Sequence, residues 1–133
     1  MSQLSVRQPP YVLSDAGVRV VREYPGPTHE LWLSGRIDIE SAPDLGRLLL
    51  DRLGLPACRT LTVNSEQIVY IDVAGIATLI EVLKAAKLLE KQFLLKGLRE
   101  RPRYLFEVTR LLHLFSGKDE SAPGMEPVPI RTP

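Results

Sequence analysis

The chain offers few groups able to do covalent chemistry. Its one cysteine is Cys58 and its two histidines are His29 and His113, 84 positions apart. A thiol attacks as the thiolate and needs a base or a cation beside it. Cys58 follows Pro56-Ala57 and reads best as an inert buried or loop thiol. Three acids, Asp38, Asp44 and Asp72, could meet near one sheet edge as an acidic pocket, but no spacing pairs them. There is no Gly-x-Gly-x-x-Gly, Walker A or Gly-x-Ser-x-Gly segment. The expectation is a chain without catalytic residues, metal or cofactor.

The sharper spacing is Asp72-Val73-Ala74-Gly75, which joins Ile68-Val69-Tyr70-Ile71 to a long helical pattern. Asp72 suits a helix N-cap: its carboxylate can accept backbone N–H groups two or three residues on, at the positive end of the helix dipole. Gly75 lets another backbone approach. At 100° per residue, Gly75, Ile76, Leu79, Ile80, Val82, Leu83, Ala86 and Leu89 fall on a buried face. The outer face holds Ala74, Ala77, Thr78, Glu81, Lys84, Ala85, Leu88 and Lys91. Its first half is small and apolar. Either alanine is there because it favours helix, or the face is a docking surface for a partner helix or loop.

The elements that must position this segment follow from pattern. Gly17–Tyr24 and Glu30–Ser34 read as antiparallel strands around Pro25-Gly26-Pro27, and Gly35 breaks the second. Ser41-Ala42-Pro43-Asp44 reads as a capped helix start, with Leu45, Leu48, Leu49 and Leu53 buried and Gly54 and Pro56 ending it. Thr60–Asn64 is a strand, the helix runs from about Ala74 to Lys91, and Phe93–Lys96 is a fourth strand. Pro102 opens a last helix to about Leu112, burying Leu105, Val108 and Leu112. Trp32 is expected in the core. The order β-β-α-β-α-β-α implies an α/β fold: one mixed sheet packed on one side by helices.

The chain has 133 residues, 17 Lys plus Arg against 16 Asp plus Glu, 44% hydrophobic residues and 11 prolines. That is one domain, expected over residues 11–115. Residues 1–10 and the Pro-rich 116–133 read as flexible tails. A net charge of +1 without a basic block argues against nucleic acid. The most apolar run, Ile76–Leu83, is far short of a membrane span, and no leader pattern opens the sequence. A cytoplasmic location is expected. Residues 29–72 carry four positive and seven negative charges and residues 81–110 eight positive and four negative. No charge falls between Val73 and Ile80.

Leu33–Asp38, Leu61–Ser65, Ile68–Ile76 and Leu94–Leu98 resemble, in order and spacing, STAS domains. These include anti-sigma-factor antagonists and regulatory domains of sulfate transporters. The resemblance implies a small non-enzymatic protein-binding domain. It places the partner surface at Asn64, Ser65, Asp72, Val73, Ala74, Gly75, Ala77, Thr78 and Glu81. In the antagonists the segment reads Asp-Ser-Ser/Thr-Gly, and an anti-sigma-factor kinase phosphorylates the first serine. Here that position is Val73, followed by Ala74, and neither has a hydroxyl. Asn64 stands where an acid is usual. The resemblance therefore implies binding to a kinase-like protein partner without the usual switch. Small STAS subunits of lipid-transport ABC systems read Asp-Thr-Ala-Gly, which Ala74 and the β-branched Val73 also resemble. An ABC transporter subunit is the alternative partner.

Overall fold

The computed structural model describes residues 9–14, 17–108, 110 and 112–115. The expected tail residues 1–8 and 116–133 lie outside them. The strands are β1 (Tyr11–Ser14), β2 (Val18–Tyr24), β3 (Thr28–Ile37), β4 (Thr60–Ile71) and β5 (Gln92–Lys96). The helices are α1 (Ala42–Leu53), α2 (Val73–Leu88) and α3 (Glu100–Val108), followed by a 3-10 turn at Leu112–Phe115. The sheet runs β1-β2-β3-β4-β5. β1, β2 and β3 pair antiparallel, and β3, β4 and β5 pair parallel. The expected β-β-α-β-α-β-α order is present, preceded by β1.

Alternation and register put Leu31, Leu33, Leu61, Val63 and Phe93 on one sheet face. The leucine stripe of α1 and the Ile76, Leu79, Val82 and Ala86 stripe of α2 join them in one core. Phe93, Phe106 and Phe115 meet edge to face, with Phe115 centroids 5.9 and 5.6 Å from the other two. This draws α3 and the 3-10 turn to the same side.

The last helix, expected from Pro102 to about Leu112, is α3 over Glu100–Val108, with the 3-10 turn separate from it. Further local expectations change. Gly35 does not end β3: at φ +105 the strand passes through it, because a Cβ there would meet the Gly17 carbonyl oxygen at 1.8 Å. Thr60–Asn64 and Ile68–Ile71 are one strand. Glu66 and Gln67, which interrupt the apolar pattern, are carried by a register shift opposite Trp32 and Ser34. Ser41 precedes α1 without capping it. Its hydroxyl instead donates to the Arg36 carbonyl (2.8 Å) and accepts the Asp38 N–H (3.0 Å). Trp32 is only half-buried and lies on the face opposite the core.

The far ends of the helices are also tied. Lys91 Nζ donates to the carbonyls of Leu53 (2.6 Å) and Leu55 (3.1 Å), just where α1 leaves its last carbonyls unpaired. Nearby, Glu23 accepts from Arg52 Nε (2.6 Å) and lies 2.6 Å from Nε2 of the buried His29.

Candidate functional site

The site is built where β3 and β4 hand over to α1 and α2, at the carboxyl ends of parallel strands. Loops diverge there, and α/β proteins commonly bind their ligands at that end. Asp72 does two structural jobs. Its Oδ1 accepts the Gly75 N–H at 2.8 Å, capping α2, and its Oδ2 accepts the Ile39 N–H at 3.3 Å. Its own N–H donates to Ile37 O at 3.1 Å. The two loops are thus laced together through one residue. Gly75 completes the junction, since a Cβ there would stand 2.6 Å from Ile37 O. The outer members of Asp-x-x-Gly are therefore supports, and the inner pair reaches the surface: Val73 is 72% exposed and Ala74 half-buried.

The remaining sequence-derived residues separate in the same way. Ala77 and Glu81 are exposed on α2, with Glu81 4.0 Å from Lys84. Leu88 continues that line at 86% exposure. Thr78 is half-buried: its methyl stands 3.1 Å from the place a Cβ on Gly46 would take, so it seats α2 against α1. Asn64 and Ser65 are buried, at 5% and 1% exposure, inside β4. Asn64 Oδ1 accepts the Glu66 N–H at 3.0 Å, which stabilises the register shift. Neither presents a side chain to a partner. Leu89, expected inside, is 50% exposed because α2 ends at Leu88.

A groove of about 880 Å³ opens between the end of β4 and α3. Tyr70, Val73, Pro102 and Tyr104 line it, so Val73 stands at once on the groove and on the outer face of α2. Tyr70 and Tyr104 were not legible as site residues. They are 34 positions apart, and no spacing rule joins a strand end to a later helix. The exposed Ile39 belongs to the loop that Asp72 holds.

The candidate acid–base groups are engaged elsewhere. Asp38 Oδ1 accepts the N–H groups of Glu40 (3.0 Å) and Ser41 (3.1 Å). Burial acts to raise its pKa, but these bonds and the Arg36 charge hold the carboxyl below the ordinary range. Asp44 pairs with Arg47 on the α1 surface. Cys58 is buried, and burial pushes its thiol up despite opposing effects from Lys91 and the His29 backbone. A thiol so placed is a poor nucleophile. Among the described residues, no group of His, Cys, Asp and Glu could hold a metal ion. No helix among them is long and apolar enough to cross a membrane. The side chain of His113 lies outside the described residues.

A mixed sheet, a helix capped by Asp-x-x-Gly and an apolar first turn define a STAS-type domain. The family model described as "Mlab, STAS domain" matches residues 23–116, and the chain belongs to that family. It is 29% identical over 86 residues to an anti-sigma-B factor antagonist of Staphylococcus aureus (strain NCTC 8325 / PS 47), covering 65% of this chain and 79% of that protein. Two solved structures share the fold. Unphosphorylated SpoIIAA, an anti-sigma factor antagonist, matches at TM-score 0.53 and 15% identity, over 63% of this chain and 76% of its own. Phosphorylated SpoIIAA of Bacillus, a cell fate determinant, matches at TM-score 0.56 and 15% identity, over 76% and 94%.

Proposed function

We propose that the chain binds a protein partner through the first turns of α2 and the adjoining groove, without catalysis and without a serine-phosphate switch at that surface. The observation that carries this reading is Val73. It occupies the position where antagonists of this fold carry the phosphoacceptor, it is exposed, and it has no hydroxyl. Exposed apolar groups beside a groove favour burial against a partner. Fully covering a valine contributes about 1.5–2 kcal/mol. A phosphoserine would add roughly −1.5 to −2 charge at the α2 N-terminus. Neither Val73 nor Ala74 can carry one, so in this reading binding is constitutive, set by abundance or controlled at another site. The partner in this reading is an anti-sigma-factor kinase-like protein, and the setting is cytoplasmic control of transcription.

A second reading has its own support. The family model is described as Mlab, and Ala74 beside a β-branched residue fits the Asp-Thr-Ala-Gly of small STAS subunits in lipid-transport ABC systems. The same surface would then brace an ATPase or permease subunit.

The two readings separate on titrating the purified chain with an anti-sigma-factor kinase and with an ABC transporter ATPase from the same cell. Ala77→Arg and Val73→Glu, both at exposed positions, should weaken capture of the true partner about 100-fold or more while circular dichroism is unchanged. Capture undiminished in both variants would overturn the surface. Thr78→Arg is a poorer probe, since it would press α2 away from Gly46 of α1.

A further inference from the structure

Strand register places a second surface on the sheet face opposite the core. Arg22 pairs with Trp32, Trp32 with Asn64, and Asn64 with Lys96. These four residues form one row across β2, β3, β4 and β5. Neighbouring strands lie about 4.8 Å apart, so the row is roughly 14 Å long. Cations stand at both ends, and Arg22 and Lys96 are exposed.

The exposed groups of the row are its two cationic donors, Arg22 and Lys96. The Arg22 guanidinium lies 4.9 Å from the Trp32 ring centroid. Trp32 Nε1 is shielded and has no acceptor among the described residues. Asn64 Oδ1 accepts the Glu66 N–H, and at 5% exposure the side chain lies beneath the surface, as floor of the row and not as a contact. Glu30 and Glu66 are the nearest acids along β3 and β4. Neither forms an ion pair with Arg22 or Lys96 among the described residues.

We propose that this row binds an acidic segment of a partner protein, with carboxylates on Arg22 and Lys96. In an extended segment, side chains at i and i+4 share a face and stand about 13 Å apart, which matches the row. Single-stranded nucleic acid fits less well. Bases need open aromatic faces, and here Arg22 covers Trp32 while Arg36 lies 4.3 Å from the Tyr70 centroid. The chain's net charge of +1 also gives little general attraction to phosphate backbones.

The test is titration of the full chain with fluorescein-labelled acetyl-octaglutamate amide at low ionic strength. Anisotropy follows the peptide, and emission follows Trp32, the single tryptophan. Saturable binding with a change in Trp32 emission is expected. The double change Arg22→Glu with Lys96→Glu should weaken it about tenfold or more. Arg99→Glu with Arg101→Glu, which reverses two cations at the start of α3, should leave it unchanged. The proposal is overturned by no saturable binding, by binding undiminished in the Arg22/Lys96 variant, by an equal loss in the α3 variant, or by tighter binding of an eight-nucleotide oligo(dT). A dimer in the absence of peptide that dissociates in the Arg22/Lys96 variant would assign the face to a second copy, and overturns it too.

Discussion

At the residue scale, Asp72 ties together three pieces of backbone. Both carboxylate oxygens accept N–H groups, from Gly75 and Ile39, and its own N–H reaches Ile37. Asp72→Ala removes a cap and an interloop bond, and should cost about 1–2 kcal/mol in urea unfolding. Gly75→Ala forces a methyl to within 2.6 Å of a carbonyl oxygen. It should cost about 2 kcal/mol or more, because backbone must move. These two roles were legible in the sequence, since capping and close approach obey local rules. The burial of Asn64 and Ser65 was not. It depends on strands from other parts of the chain lying on both sides of β4, and no local pattern records that.

At the scale of elements, α1 is fastened to the β2–β3 hairpin by Glu23, His29 and Arg52. Burial acts to raise the Glu23 pKa, but hydrogen bonds from His29 and Arg52 and the Arg52 charge lower it from 4.5 to about 2. A carboxylate with a depressed folded-state pKa stabilises the fold above its unfolded value, and the stabilisation is lost as pH falls through the folded value. Thermal unfolding should therefore show stability falling between about pH 4.5 and pH 2. Discounted for solvent screening, the loss assignable to Glu23 is about 2 kcal/mol. Glu23→Gln should flatten this part of the profile and lower stability near neutrality, since it leaves Arg52 half-matched beside a buried histidine. The helices were readable because leucines recur at helical spacing. The unity of β4 was hidden by Glu66-Gln67, whose polar pair looks like a loop until β3 supplies a shifted partner for it. β1 was missed because four residues after Pro9-Pro10 are too few to show a period.

On the scale of the whole molecule, helices cover one face of the sheet, the docking turns sit at one end of it, and the donor row crosses the other face. The two surfaces share no residue. Changes at Ala77 and at Arg22 should then act independently, with their effects on two ligands separable to within about 0.5 kcal/mol. A chain already holding its partner on α2 should still take up octaglutamate, and simultaneous binding is measurable by anisotropy in the preformed complex. The expected mixed sheet with helices on one side was legible from the alternation of elements. The donor row was not, because it joins residues from four strands whose register appears only on assembly.

The buried Cys58 gives the molecule a clock. It is the single thiol, 1% exposed, at the end of the sheet where Lys91 holds α1. A thiol reagent can reach it only while that end is open. The labelling rate, set against the rate for the unfolded chain, therefore reads the free energy of opening. If opening there is local, Lys91→Met should quicken labelling far more than it lowers the midpoint of global unfolding. If Cys58 is freed only by complete unfolding, the two will move together.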